Sequence, residues 1–158
     1  MEIKFTVPGR LPGKGRARSF LVKPKGRQPF ITNYTPAETY NAEAVVKHLA
    51  SVAMDGRAPF EGPLELIISM YVLRPKSKSK KLVFCTTRPD LDNCLKLIGD
   101  ACNRILWRDD AQLAITHMRR LYCEKTERAE ICVRTLTGDR PGAEAAREIE
   151  TAPGLFST

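Results

Sequence analysis

The chain has 158 residues, 42% of them hydrophobic, which is enough for a single domain with a buried core. Lysines and arginines number 26 against 18 acidic residues, and the net charge of +8 favours an anionic partner such as nucleic acid or a membrane surface. No segment approaches the roughly 18 apolar residues of a membrane span, and the N-terminal segment lacks the apolar stretch of a signal peptide. We therefore expect a cytoplasmic protein with no membrane partner.

The pattern of cysteines argues against a zinc site. The cysteines are Cys85, Cys94, Cys102, Cys123 and Cys132. They form no C-x-x-C pair and mostly lie in segments with apolar periodicity, whereas a structural zinc site needs closely paired ligands. We expect reduced, buried thiols and no organic cofactor.

The first element is a strand, because Ile3, Phe5 and Val7 alternate with polar residues before Pro8-Gly9. Residues 10–27 follow with seven basic residues, three glycines and no acid. This composition predicts a flexible basic loop.

A helix is predicted after this loop. Thr35, Pro36 and Glu38 have the pattern of a capping box with proline at the first helical position. The predicted buried face consists of Ala42, Val45, Val46, Leu49, Val52 and Ala53. Gly56 is the expected end of the helix.

The central part of the chain predicts an interior strand over residues 64–73, where apolar residues occupy both faces. Residues 74–81 form a second basic loop, and residues 82–85 fit a short strand after it. Apolar residues at helical spacing then predict a second helix from about residue 91 to about residue 106.

Two strands are predicted over residues 113–123 and 129–136. We expect them to be joined near residues 125–127 as an antiparallel hairpin. The predicted order is β-α-β-(β)-α-β-β. This order indicates an α/β (α+β mixed) single domain over residues 1–137, with a small mixed sheet and two main helices packed on it. Residues 138–158 are polar and are expected to form a peripheral tail.

An acidic group is predicted at the start of the second helix. Pro89 disfavours helix before it, so Asp90 falls at the N-cap and Asp92 in the first turn, with Lys96 four residues further on. Each of these features is also a common helix stabiliser, and capping alone explains them well. The motif by itself therefore leaves open both a functional role for these side chains and simple stabilisation of the helix.

A second acidic pair, Asp109-Asp110, follows Trp107 just before a predicted strand, where a turn could bring it back toward the helix. Carboxylates grouped in this way would hold Mg²⁺, which neutralises a phosphate and activates water. A neighbouring lysine would stabilise charge that develops on the phosphate. Trp107 itself is expected in the core rather than stacked on a base.

Basic residues are clustered, since 13 of the 26 lysines and arginines fall within residues 10–27 and 74–88. The expected DNA contacts are Lys14, Arg16, Arg18 and Arg88. Binding that depends on salt concentration would follow if these residues touch phosphates. A pair of solvated flexible loops is the alternative explanation.

The blocks R-P-D-L-D-N-C-L-K (88–96), G-D-A (99–101) and W-R-D-D-A-Q (107–112) resemble the RusA-type Holliday junction resolvases, in their bacterial and phage members alike. The resemblance is specific over residues 88–112 and looser over the flanking strands and first helix. A longer basic segment, 74–87, and the tail after Gly138 depart from the compact family pattern.

The resemblance implies a homodimeric crossover junction endodeoxyribonuclease that cuts four-way DNA junctions by paired symmetric nicks in recombination and repair. It implies Mg²⁺ as cofactor, with Mn²⁺ as a substitute. By position, Asp90, Asp92 and Asp110 would be the catalytic metal ligands and Lys96 the catalytic lysine. Asn93 and Asp109 would support the metal site or contact DNA. The host would be a bacterial cell, with a phage-encoded origin left open.

Two alternatives remain at this point. In one, the protein binds DNA without cutting it, so that the basic loops hold phosphates and the acids only cap a helix. In the other, a metal-dependent nuclease acts on other branched DNA, such as flaps and forks.

Overall fold

The computed structural model describes residues 1–16 and 18–136. In chain order the elements are β1 (Glu2–Pro8), β2 (Arg18–Val22), β3 (Phe30–Tyr34), α1 (Ala37–Met54), β4 (Leu64–Leu73), α2 (Leu91–Cys102), a short 3-10 helix (Asp110–Gln112), β5 (Leu113–Cys123) and β6 (Arg128–Thr135). The predicted mixed α+β fold with two main helices is confirmed. The predicted tail, 138–158, and the end of the predicted domain at residue 137 lie outside the described residues.

A four-stranded sheet in the order β1-β6-β4-β5 forms the frame of the fold. Strand β4 pairs in parallel with β5 and antiparallel with β6, and β6 pairs antiparallel with β1. Leu64, Leu66 and Ile68 of β4 are fully buried, in one core with Val46 of α1 and Leu97 of α2. The prediction of an interior strand is therefore confirmed, and one face of the sheet carries both helices.

The predicted terminal hairpin is wrong in its pairing. Strands β5 and β6 are consecutive in the chain, but β4 lies between them in the sheet. The two strands occupy nearly the predicted residues. The pattern of apolar residues in the local sequence indicates where strands form. Which strand pairs with which in the sheet depends on how their apolar faces pack on the core.

The predicted loop over residues 10–27 contains strand β2, which pairs antiparallel with β3 in a separate two-stranded sheet. Basic residues dominate the composition of this segment, but it also contains the β-forming run Phe20-Leu21-Val22. Phe20 contacts Tyr34 edge to face, with ring centroids 5.7 Å apart. Both aromatic side chains remain exposed at the surface of this hairpin.

Helix α1 begins at Ala37 without the predicted capping box. Pro36 occupies the N-cap, and no side chain accepts a capping hydrogen bond there. Val45 and Val52, predicted on the buried face, are exposed because the core contacts only a narrower stripe that includes Val46 and Ala50. The helix ends at Met54, just before Gly56, close to the predicted end.

Helix α2 is shorter than predicted because the chain leaves the helix at Asn103, before Ile105 and Leu106. The predicted strand over residues 82–85 is also wrong. Only an isolated bridge between Phe84 and Leu121 is present there. No helix in the described part of the chain is long and apolar enough to cross a membrane.

Candidate functional site

The start of α2 presents Asp90 to solvent with its carboxylate free of a capping role. Asp90 occupies the N-cap with extended backbone angles, φ −69° and ψ 149°, but its side chain accepts no capping hydrogen bond. The backbone carbonyl of Asp90 instead accepts from the amide of Cys94, at 3.2 Å. Helix stabilisation by the side chain, the strongest alternative from sequence, is therefore absent at this residue.

Asp92 and Lys96 lie next to each other on the outer side of α2, as predicted. The Lys96 ammonium donates to Asp92 Oδ2 at 3.3 Å, and both side chains are about two-thirds exposed. An ion pair this exposed contributes little to stability, on the order of 0.3–0.5 kcal/mol for this helical spacing. Both groups are thus available to a ligand at low cost.

A basic cleft of about 650 Å³ opens beside Asp90. Arg10, Arg16 and Arg88 line it together with Asp90 and Asn93. Glu38 also lines the cleft, so the three guanidinium groups lie beside two carboxylates. Such a cluster of arginines suits a bound phosphate, because arginine forms paired hydrogen bonds with phosphate oxygens. Arg10 did not figure among the predicted contacts, since in sequence it is one of many basic residues in a loop.

The wall of this cleft is a close contact between the 12–16 segment and α2. The Lys14 amide donates to the carbonyl of Asn93 at 2.9 Å. A Cβ atom on Gly13 would lie 2.7 Å from Pro89 Cβ and 3.1 Å from Asn93 Cβ, so only glycine fits there without displacement. Asn93, the predicted supporting residue, therefore holds the cleft wall through its backbone.

Two of the predicted DNA-binding residues, Lys14 and Arg18, are not shown with a side chain free to contact DNA. The Lys14 ammonium pairs with Asp100 and lies 3.8 Å from Glu43, so much of its charge is used within the protein. Arg18 lies in β2, where its backbone pairs with Tyr34, and its side chain is outside the described part of the structure. Arg16 is exposed at the cleft and remains available to a phosphate.

The second acidic pair divides into one structural and one free carboxylate. Asp109 caps the 3-10 helix, accepting from the Ala111 amide at 2.9 Å, while Gln112 Oε1 accepts from the Asp109 amide at 3.2 Å. The Gln112 side chain also donates to the carbonyls of Phe60 and Gly62, which fastens this turn to the fold. Asp110 is exposed in the first turn and makes no such bond, so the structure favours Asp110 over Asp109 as a ligand.

Asp110 lies at the opposite end of α2 from Asp90. The start of α2 is tied to β5 where Arg120 donates to the carbonyl of Pro89, whereas its end lies beside Trp107 through the bridge Asn103–Trp107. The 12 residues of α2 span about 18 Å. Among the described residues no three acidic, histidine or cysteine side chains are close enough together to hold a metal ion. The predicted gathering of all the carboxylates does not occur within one chain.

Arg120 is a buried cation directly behind the Asp90 loop. Its guanidinium donates to the Pro89 carbonyl and, at 3.5 Å, to Cys85 Sγ, while its Nε has no partner among the described residues. Arg10 donates to the preceding carbonyl, that of Arg88, at 2.6 Å. Two arginines thus hold successive carbonyls immediately before Asp90, a feature that no local motif in the sequence indicates.

The cysteines are free thiols, as predicted, and three of the five are buried. Burial raises the pKa of Cys102 to about 12. Burial also acts to raise the pKa of Cys85, but hydrogen bonds from Thr87 and the nearby Arg120 charge outweigh it and bring the pKa below its ordinary value. Trp107 is fully buried, which confirms its predicted place in the core.

Exposed carboxylates beside an arginine-lined cleft, on a strongly basic chain, are typical of a protein that binds the phosphates of nucleic acid. A family model described as endodeoxyribonuclease RusA matches residues 11–134. The chain therefore belongs to the RusA endodeoxyribonuclease family, as its motifs predicted, and is a nuclease of a family that acts on branched DNA junctions. Family members generally depend on divalent metal ions.

A curated relative extends the similarity over nearly the whole chain. The chain is 29% identical over 147 residues to the uncharacterized protein YqaN of Bacillus subtilis strain 168. The alignment covers 85% of this chain and 97% of that protein. The residues predicted for the site from sequence all fall within residues 11–134, the range of the family model, and Arg10 of the cleft lies just before it.

Proposed function

We propose that this protein is a Mg²⁺-dependent crossover junction endodeoxyribonuclease, which resolves four-way DNA junctions by paired symmetric nicks as a homodimer in the bacterial cytoplasm. Mn²⁺ is expected to substitute for Mg²⁺. The observation that carries the proposal is Asp90, an N-cap aspartate whose carboxylate caps nothing and borders the arginine-lined cleft.

The residues at the start of α2 suit the roles required by phosphodiester hydrolysis. Asp90 and Asp92 would hold the metal ion, because Mg²⁺ prefers carboxylate oxygens and both side chains are exposed. A bound Mg²⁺ neutralises phosphate charge and lowers the pKa of attacking water. Lys96, next to Asp92, is placed to stabilise negative charge on the phosphate.

The arginines of the cleft would bind and orient the DNA backbone. Arg16 and Arg88 are exposed, and Arg10 joins the same cleft. Contacts of this kind position a strand without reading its bases. Selectivity for a four-way junction would then come from the geometry of two sites in a dimer rather than from a sequence-specific contact.

Substitution of the two aspartates tests catalysis separately from folding. We expect Asp90→Asn and Asp92→Asn to keep the thermal midpoint and junction affinity of the wild type, because neither carboxylate caps the helix. Both variants should lose Mg²⁺-dependent cleavage of a synthetic four-way junction. Asp55→Asn is the matched control, since Asp55 has left-handed backbone angles at the end of α1, which asparagine also tolerates.

The same gel assay separates the alternatives. Cleavage at the wild-type rate by both variants would refute the catalytic assignment of Asp90 and Asp92, whereas junction binding without any cleavage by the wild type would identify a DNA-binding protein that does not cut. Cleavage of flaps and forks as fast as four-way junctions would identify a broader nuclease for branched DNA.

A further inference from the structure

Cys85 is a thiol close to the protein surface that the proposed reaction does not use. It lies between β4 and α2, in a segment where Phe84 and Thr86 on either side are exposed, whereas Cys85 itself is 8% exposed. The amide of Cys85 donates to the carbonyl of Arg120 at 3.0 Å, which holds this segment against β5. The sulfur is therefore fixed in position, with exposed residues on both sides of it in the chain.

Two polar side chains contact the sulfur of Cys85. Thr87 Oγ1 lies 3.3 Å from Cys85 Sγ, and the guanidinium of Arg120 donates to the same sulfur at 3.5 Å. Burial acts to raise the pKa of Cys85, but the hydrogen bonds with Thr87 and the charge of Arg120 bring it below its ordinary value. A cation next to a thiol favours the thiolate, which is the form that reacts with oxidants.

Two buried hydrogen-bond donors beside Cys85 lack an acceptor. Arg120 Nε and the hydroxyl of Tyr122 form no hydrogen bond with any of the described residues. Both residues are 8% exposed, and Tyr122 packs with Cys85 and Val72 in one buried cluster. Buried donors without a partner are rare, because each one costs free energy. An oxygen atom attached to the sulfur of Cys85 would supply the acceptor that this pocket lacks.

We propose that Cys85 is a site of reversible oxidation by hydrogen peroxide, and that the oxidised sulfur draws Arg120 away from the Pro89 carbonyl and thereby slows DNA cleavage. The effect on cleavage rests on the proposed function, whereas the oxidation itself does not. In the reaction the thiolate sulfur attacks one peroxide oxygen while the O–O bond breaks, which leaves a sulfenic acid on Cys85. The other oxygen leaves as hydroxide and takes up the proton that the thiol released, so that sulfur loses two electrons and the peroxide is reduced to water.

Arg120 connects this sulfur to the candidate site. Its guanidinium also donates to the carbonyl of Pro89, the residue before Asp90. A sulfenate oxygen carries negative charge, and a hydrogen bond between two ionised groups is stronger than one to a neutral carbonyl. Oxidation therefore favours the contact of Arg120 with the sulfur over its contact with Pro89. The carbonyl of Arg88 keeps its bond from Arg10, so the loop before Asp90 should shift without unfolding.

Trapping of sulfenic acid measures the modification without DNA. The native full-length protein is treated with hydrogen peroxide and dimedone in the presence of a metal chelator, and labelling of each cysteine is followed by peptide mass spectrometry. Cys132 is the matched control, because it is more exposed than Cys85 while burial and the neighbouring Glu2 raise its pKa. We expect Cys85 to be labelled at least about 10-fold faster than Cys132, and Arg120→Met to remove most of this difference.

Cleavage of a four-way junction measures the consequence of the oxidation. After removal of peroxide, we expect the oxidised wild type to cut at least about 10-fold more slowly, because Asp90 is displaced. Dithiothreitol should restore the rate, since a sulfenic acid is reduced by thiols. Cys85→Ser should cut within about twofold of the reduced wild type before and after peroxide, because its hydroxyl also accepts from Arg120. Cys85→Ala provides a second peroxide-resistant variant, and Cys132→Ser should remain as sensitive as the wild type.

Labelling of Cys132 ahead of Cys85 would overturn the modification site. Complete labelling of Cys85 with an unchanged cleavage rate, or equal inactivation of Cys85→Ser and Cys85→Ala by peroxide, would overturn its effect on the candidate site. A reduced wild-type protein that cuts no branched DNA would instead refute the proposed function, and the labelling of Cys85 would still be measurable, so the two failures are distinguishable.

Discussion

Replacement of Arg120 by methionine removes the buried cation behind Asp90 while it keeps much of the side-chain volume. Arg120 is only 8% exposed and does not line the basic cleft. Its hydrogen bond to the Pro89 carbonyl fixes the residue that precedes Asp90. The substitution therefore tests whether Arg120 positions the proposed metal ligand.

The expected effects on stability and on catalysis differ in size. A hydrogen bond from a charged group contributes roughly 1.5–3 kcal/mol, but burial of the guanidinium offsets part of this. We therefore expect the free energy of unfolding to fall by less than about 2 kcal/mol. A displacement of about 1 Å at a catalytic group lowers the rate up to about 100-fold. We expect kcat to fall about 10- to 100-fold.

Single-turnover cleavage of a four-way junction, measured with junction affinity and thermal midpoint, checks this prediction. Junction affinity should stay within about twofold, and Arg120→Lys should recover most of the rate because lysine also donates to a carbonyl. Arg57→Met is the control, since Arg57 also donates to backbone carbonyls, at the end of α1. A folded Arg120→Met protein with an unchanged rate at limiting Mg²⁺ would refute a positioning role.

Three further predictions follow from individual side chains. Asp109→Ala should lower the free energy of unfolding by about 1 kcal/mol through the lost cap, and with it the thermal midpoint. An unchanged thermal midpoint in calorimetry would contradict a capping role. Arg16→Ala should reduce the salt dependence of DNA affinity more than Lys14→Ala, whose ammonium pairs with Asp100; equal slopes in fluorescence anisotropy would argue against this ranking. Cys102, whose pKa is raised to about 12, should resist thiol reagents in the folded protein at pH 8.5, and rapid labelling of the native protein would contradict its burial. Its contribution to the free energy of unfolding should be constant below about pH 9 and should decrease as the pH rises toward 12.

Most elements of the fold could be predicted from sequence because their apolar periodicity is strong. Strands β1 and β4 alternate or are apolar on both faces, and α2 follows a helical repeat. The pairing of these strands could not be predicted in the same way. Insertion of β4 between β5 and β6 depends on contacts between residues far apart in the chain, and periodicity contains no information about those contacts.

The sequence by itself determined the chemistry of the candidate site: the residue types at Asp90, Asp92, Lys96 and Asp110, their spacing, and the family to which they belong. Only the tertiary structure decided how the acids are used. It leaves Asp90 free of a capping bond, assigns Asp109 to a cap and separates Asp110 from the start of α2. The physical reason is that hydrogen-bond partners and distances across the sheet arise from packing, which brings distant segments together in ways that local spacing does not encode.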